Sequence, residues 1–306
     1  MEIKQLEIFA CIAKNLNFSK TAEEMYLSQP TVSSQISTLE KSLGVQLLAR
    51  NTKGVSLTKM GSEFLTYTHK ILALRDEAAL SVSGRDKNVK GTIDIISSTI
   101  PAQHLLPEII TLFQKEWPNI TFRVDRGDSR QVEKEMGSFR YDFGMIGTAP
   151  DDDRFISYAV YNDRLVLVVP DDWPINLKTI RENFADYIVE VPFIMREPGS
   201  GTRVETEAIL SKTGVNLQKL HIPATFSDAH GILLAVSRGM GCSLVPKIAA
   251  VMYEETGLLK VIDINSPLFR RQIFLLHNKE LWLSPIQQSF ADYARQFYES
   301  SSNDQS

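Results

Sequence analysis

The stretch Phe18–Gly44, FSKTAEEMYLSQPTVSSQISTLEKSLG, crowds short hydroxyl and amide side chains onto a segment that otherwise reads as helix. Its apolar residues Val32, Ile36, Leu39 and Leu43 recur at helical spacing and form one stripe. Ser28 is a good N-cap, and Pro30 falls in the first turn, where its missing N–H costs nothing. Gly44 is a natural stop. Upstream, Ser19 is expected to cap a second short helix that buries Ala22, Met25 and Tyr26. Leu27-Ser28-Gln29 leaves room only for a tight turn between the two. The unit is helix, turn, helix.

The other side of the second helix carries Thr31, Ser33, Ser34, Gln35, Ser37 and Thr38, all short, polar and uncharged. A solvated helix face favours Glu, Lys and Arg, which are better helix formers. Short hydroxyls and amides suit close approach to a DNA major groove, where Gln reads adenine and Ser or Thr meets bases or phosphate. The pattern by itself leaves two readings, a DNA-reading helix and an exposed helix rich in Ser. The next residues weigh on the first. Val45–Asn51 and Thr52–Thr58 read as two short strands about a Lys-Gly turn, a small wing. Arg50 and Lys53 are thereby placed beside the helix, within reach of phosphates.

These residues carry a family resemblance. Leu6-Glu7-Ile8-Phe9, Ala22-Glu23, Ser28-Gln29-Pro30-Thr31-Val32-Ser33, Gln35-Ile36, Leu39-Glu40, Leu43-Gly44 and Leu57-Thr58 with Gly61 are similar to the DNA-binding domain of LysR-type transcriptional regulators. The match covers about the first 65 residues, and the rest of the chain has the family's length and order. Carried over residue by residue, the resemblance assigns DNA contact to Gln29, Pro30, Thr31, Ser33, Ser34, Ser37, Arg50 and Lys53. One departure stands out. Many relatives carry Arg at the position of Ser34 and often a basic residue at Ser37, which leaves more of the charge here to Arg50.

The 306 residues are enough for two or three domains, and 43% hydrophobic with 23% charged residues is a globular composition. No apolar run approaches the roughly 18 residues of a membrane span. The opening MEIKQLEIFACIAKN is an amphipathic helix with acidic residues and is not expected to be a secretory signal. Cys11 and Cys242 are expected in different domains, buried rather than disulfide-bonded, which fits a reducing cytoplasm. The net charge of −4 is unevenly spread. Residues 1–90 carry 12 Lys/Arg against 9 Asp/Glu, whereas residues 91–306 carry 21 against 28. A weakly basic reader is attached to an acidic body.

From Thr58, a capping residue, to about Lys87 there is no Pro, and Phe64, Leu65, Thr68, Ile71, Leu72, Arg75, Ala79 and Val82 lie near a heptad-like stripe, with Phe64, Leu65, Thr68, Ile71 and Leu72 the expected dimer contacts. A helix of ~29 residues spans roughly 44 Å, and pairing with a second copy is the simplest way to bury its stripe. The resemblance implies an antiparallel dimer through this helix, a tetramer beyond it, and contact with RNA polymerase. Ser83–Gly91 reads as a hinge.

After Gly91 strands alternate with helices, the pattern of an α/β body with a mostly parallel sheet. The expected fold is therefore α/β overall. It has an N-terminal winged helix-turn-helix (1–58), a long linker helix and hinge (59–90), and a two-lobed effector domain (91–306). That domain resembles a periplasmic binding protein, with lobe I at about 91–163 and 268–300 and lobe II at about 164–267. A ligand in such a fold sits beyond strand ends, at helix starts. Ser97-Ser98-Thr99 follows the first strand, and Arg196-Glu197-Pro198-Gly199-Ser200-Gly201-Thr202-Arg203 opens a helix in the other lobe. Ser98, Thr99, Ser200, Gly201, Thr202 and Arg196 are the expected effector contacts. Hydroxyls, glycine-freed amides and helix starts all favour a small anion. Arg196 and Arg203 are also placed to pair with Glu197 or Glu205.

His69, His104, His221, His230 and His277 show no metal-ligand spacing, and HExxH, CxxC and GxSxG do not occur. Neither an enzyme, a metal site nor a cofactor is expected. The alternative reading is a solute-binding protein for transport, which explains the body but leaves the first 90 residues idle.

Overall fold

The structure is a computed structural model and describes residues 1–51, 54–83 and 89–303. Helix α1 (Ile3–Asn15) opens with a capping box, in which Glu2 and Gln5 satisfy each other's backbone amides. Helix α2 (Phe18–Glu24) follows, and α3 (Gln29–Leu43) starts where the Ser28 hydroxyl accepts from the Thr31 amide at 3.2 Å. Gly44 ends α3 in the left-handed region at φ 70°. Val32, Ile36 and Leu39 are fully buried against Ile8, Phe9 and Ile12 of α1 and Leu47, as the spacing predicts.

Two expectations for α2 are corrected. Its cap is Asn17, which accepts from the Lys20 amide, and not Ser19. Tyr26 is not buried: it sits at φ 55° and is 95% exposed, because the turn into α3 throws its side chain outward. Strands β1 (Leu48–Asn51) and β2 (Gly54–Leu57) pair antiparallel as the wing. Lys53 and the side chain of Arg50 lie outside the described residues, as does most of the expected hinge.

Helix α4 (Lys59–Ser83) is capped by Thr58, whose hydroxyl accepts from the Gly61 amide at 2.9 Å. Its expected partner face is also corrected. Leu65 and Thr68 are closed inside the chain's own N-terminal core, and Phe64 packs on Phe9 with ring centroids 5.5 Å apart. Ile71 and Leu72 are half-buried. Among the described residues, the large apolar side chains of α4 left exposed are Met60, Tyr67, Leu74 and Val82, which share the side of the helix that carries Ile71, away from Leu65 and Thr68.

The body begins with β3 (Gly91–Ser97), α5 (Thr99–His104), α6 (Leu106–Glu116), β4 (Ile120–Arg126), α7 (Ser129–Met136) and β5 (Phe143–Ile146). Strand β3 lies between β4 and β5, parallel to both. The sixteen-residue strand β6 (Phe155–Pro170) then runs out of this lobe. Beyond it come α8 (Leu177–Glu182), α9 (Phe184–Glu190), β7 (Met195–Arg196), α10 (Gly201–Lys212), β8 (Thr225–Phe226), α11 (Ala229–Ser237), β9 (Ser243–Pro246), α12 (Lys247–Glu255) and β10 (Leu259–Ile262). Strand β11 (Arg270–Asn278) returns, and α13 (Pro285–Asn303) closes the chain.

The sheet order is β10-β6-β11-β5-β3-β4, with β9 also on β6. It is mixed rather than mostly parallel, because β11 runs antiparallel to both β5 and β6, and β9 and β10 run antiparallel to β6. The first half of β6 pairs with β11 and its second half with β9 and β10. That second half is buried on both faces. Val166 and Val168 join a core with Ile93, Phe143 and Phe290, while Leu165, Leu167 and Val169 join one with Phe184, Phe193 and Leu210.

Gly61 permits the closest approach in the N-terminal unit. A Cβ there would lie 2.0 Å from the Leu47 carbonyl oxygen, a backbone atom. Gly61→Ala should therefore push α4 off the wing and cost about 1–3 kcal/mol. Urea unfolding of the purified protein measures it.

Candidate functional site

The outer face of α3 presents Gln29, Pro30, Thr31, Ser34 and Thr38 to solvent, with Ser33 and Ser37 half-buried beside them. Two of the hydroxyls are engaged locally. Thr31 Oγ1 lies 2.7 Å from Ser28 Oγ, and Thr38 donates to the Ser34 carbonyl at 3.0 Å. Gln35 is turned away from this face and accepts from Gln5 of α1 at 3.3 Å. Gln29 and Ser34 thus remain as exposed side chains, and so does Tyr26, which the periodicity of α2 had assigned to the core.

The second region lies between the lobes. Ser98, Thr99, Ser129, Gly147, Arg196, Ser200, Gly201, Thr202 and Arg271 enclose a cavity of about 20 Å³, room for a group about the size of one water molecule. Helices α7 and α10 begin here, which brings the positive ends of their dipoles to the cavity; Asp128 caps α7 by accepting from the Gln131 amide at 2.8 Å. Ser98 and Ser200 sit at N-cap positions, yet neither hydroxyl caps its own helix. Gly201 brings the two sides together: a Cβ on it would lie 2.8 Å from Ser129 Oγ. A larger open hollow of about 550 Å³, lined by Lys90, Ile110, Gln114 and Phe122, lies elsewhere on the body. Its polar lining is Lys90, Gln114, Asn119 and Thr121 on an open surface, whereas the cleft is enclosed and draws its polar groups from both lobes, so the cleft is the stronger site.

All six residues expected from the sequence line this cavity. Arg196 does so with its charge already matched. Its guanidinium donates to both Glu197 oxygens at 2.8 Å and to the Ser227 carbonyl at 3.1 Å. Arg203 pairs with Glu207 at 2.8 Å and not with Glu205.

The residue missed in the sequence is Arg271. Strand register sets it opposite Asp163, to which Nε and Nη2 donate at 2.9 and 2.8 Å. Its Nη1 reaches Thr202 Oγ1 and Glu205, both at 3.2 Å. The side chains of Arg271 and Asp163 are 3% and 2% exposed, an ion pair closed off from water. Burial outweighs Arg271 and pushes the Glu205 carboxyl up to about 7. His104 is also lowered by burial, although Asp163 draws it the other way. No local pattern marks Arg271, since it stands in an ordinary strand after a short turn.

The two cysteines are free. Burial pushes the Cys242 thiol up to about 12, and burial with the nearby Glu24 takes Cys11 to about 11. Among the described residues, no helix is long and apolar enough to cross a membrane.

Comparison with known proteins bears on both regions. Residues 3–62 match the family described as bacterial regulatory helix-turn-helix protein, lysR family. Residues 86–299 match the LysR substrate binding domain. An uncharacterized HTH-type transcriptional regulator of Methanocaldococcus jannaschii is 32% identical over 279 residues, covering 91% of this chain and 93% of its own. The HTH-type transcriptional activator CmpR of Synechocystis is 27% identical, covering 95% and 94%. A full-length OxyR variant of Pseudomonas aeruginosa shares the fold with a TM-score of 0.71 at 16% identity, covering 97% of each chain. The match at residues 3–62 favours the regulator over the solute-binding alternative.

The Arg271–Asp163 pair is open to a direct check. Asp163→Ala leaves a buried guanidinium with Glu205 as its remaining carboxylate and Thr202 as a neutral acceptor, and should cost about 3–5 kcal/mol in urea unfolding. Replacing both partners, Asp163→Leu with Arg271→Met, should recover most of that loss.

Proposed function

Because this chain belongs to the LysR family of transcriptional regulators, we propose that a small anion held between the lobes is the effector that sets how its helix-turn-helix engages DNA. The observation that carries this reading is the closure of hydroxyls from opposite lobes, Ser98, Thr99 and Ser129 against Ser200 and Thr202, on one small cavity at two helix starts. An anion there gains amide dipoles and hydroxyl donors. The cavity as it stands has room for about one water-sized group, so the expected ligand, a small carboxylate or inorganic anion, enters as the lobes part around it.

On DNA, α3 enters the major groove with Gln29 and Ser34 at base edges, Pro30, Thr31, Ser33 and Ser37 along the helix contact, and Arg50 and Lys53 on phosphates. Tyr26, exposed directly before α3, joins the backbone contacts. The operator is an inverted repeat read by a dimer. The seam is the outer face of α4, where Met60, Tyr67, Leu74 and Val82 leave apolar surface that a second copy covers. Dimers pair into tetramers that meet RNA polymerase, and the protein acts in the cytoplasm. Ligand binding shifts the angle between the lobes, and α4 passes that change to the spacing of the two readers.

Two substitutions separate the two halves of this reading. Thr202→Ala should weaken anion binding in calorimetry by about 0.5–1.5 kcal/mol and leave operator binding by the ligand-free protein unchanged. Gln29→Ala should cost about 1–3 kcal/mol on the operator and relax preference at one base position, with anion binding intact. Unaltered footprints for Gln29→Ala refute the placement of α3. Unaltered anion affinity for Thr202→Ala refutes the cleft.

A further inference from the structure

Three charged side chains form and back one wall of the inter-lobe cavity, and together they are negative when all are ionised. Arg271 brings one positive charge, while Asp163 and Glu205 bring two negative ones, all within 3.2 Å of the guanidinium. On the other wall Arg196 is matched one to one by Glu197, and Arg203 by Glu207. His104, beside Asp163, is lowered by burial, which disfavours its charged form, while Asp163 draws it the other way. Tyr161, near Asp163 and Glu108, is raised by burial and stays neutral. Helix α10 also packs on β7, β9 and the turn Leu217–Lys219. These add Arg196, already paired, and Lys219, which faces solvent, while the Asp128 side chain at the start of α7 lies against Gly199 of the loop before α10 and places one more carboxylate at the rim. An anion entering the cavity would therefore meet an excess of negative charge in a site largely closed to water, where such repulsion is poorly screened.

We propose that Glu205 is the charge selector of this site: a small monoanion enters the cleft together with one proton, which Glu205 takes up from solvent, and dianions are disfavoured. The proposal rests on the cleft being the effector site. The geometry supplies the reason. Arg271 is the one cavity-lining cation shared between two carboxylates, and it is hydrogen-bonded to Thr202 at the start of α10. Protonating Glu205 leaves Asp163 to balance Arg271, so this three-residue cluster is neutral when the anion arrives. Burial already holds Glu205 near the point where this costs little, at about 7. An added negative charge raises it further. Affinity for a permanently ionised anion is then level below about pH 7 and falls as pH rises above it, by about tenfold per unit, since each binding event must draw a proton from an increasingly dilute pool.

Glu205 is thus a positioning residue for charge and need not touch the ligand. The experiment is titration calorimetry of the full-length protein with formate, nitrate and sulfate at about pH 6 and about pH 8. Each titration is run in two buffers of different ionisation enthalpy, so that protons taken up are counted directly. Formate or nitrate should bind the wild type at about pH 8 with uptake close to one proton, and sulfate should bind more weakly than both. Glu205→Gln should bind the same monoanion with no proton uptake and no pH slope. Binding of a monoanion by the wild type at about pH 8 without proton uptake overturns the proposal while leaving the cleft standing. So does a pH slope that persists in Glu205→Gln, or sulfate binding tighter than both monoanions at about pH 8. Should neither protein bind any of the three anions at about pH 6, the cleft reading itself falls and this proposal with it. If Glu205→Gln does not fold, the wild-type proton count alone decides.

Discussion

A guanidinium buried between two crossing strands is the constraint on which the body of this protein depends. Arg271 of β11 and Asp163 of β6 face each other in register and are almost completely closed off from water. Removing two charges from water is costly, and the cost is recovered only where geometry and further hydrogen bonds are good. Here Asp163 accepts twice, and the remaining donor is shared between Thr202 and Glu205 of α10. One side chain thereby ties the strands that pass between the lobes to the helix that opens the ligand loop. The position of α10, and with it the amides and hydroxyls facing the cavity, is fixed from behind by this pair.

A second ionic cluster joins the body to the N-terminal unit. Asp94 of β3 receives Arg123 of β4 at 2.6 Å and also Lys14 of α1, and Arg123 reaches Glu24 of α2 at 2.9 Å. Desolvation raises Glu24, but hydrogen bonds from Asn15 and Arg123 overcome it and hold the carboxyl down at about 2. Nearby, Phe139 at φ 57° packs against the N-terminal core and stacks on His69 of α4, with ring centroids 6.2 Å apart. Burial pushes that imidazole down to about 4. The ligand-bearing body thus touches the DNA-facing unit through charges and a ring contact. Arg123 is about half exposed, so this contact weakens with salt far more than the buried pair does.

Helix α4 serves two surfaces at once, which explains why its seam is hard to assign from spacing. Leu65 and Thr68 point into the chain's own core, and Met60, Tyr67, Leu74 and Val82 point out. A long helix with apolar residues on more than one face gives a blurred heptad, and only the fold shows which residues are already covered.

Local order was legible in the sequence. The apolar stripe of α3, its Ser28 cap and Gly44 stop, the Thr58 cap of α4 and the hydroxyl loops at Ser98 and Ser200 all follow from rules that act over a few residues. The loops belong to strand–helix junctions, whose residue types announce a site. What only the tertiary structure decided are pairings between distant parts of the chain. The Asn17 cap in place of Ser19 is a local exception, a choice between near neighbours that apolar spacing does not resolve. Tyr26 is exposed because the turn, and not the helix, sets its direction. The mixed sheet follows from the reversal of β11 against β5 and β6, which no alternation pattern records. Arg271 and Asp163 lie 108 residues apart, in strands whose sequences are unremarkable. Periodicity fixes which face a residue occupies within its own element, whereas a buried ion pair depends on which elements are brought together, and that is determined by the packing of the whole core.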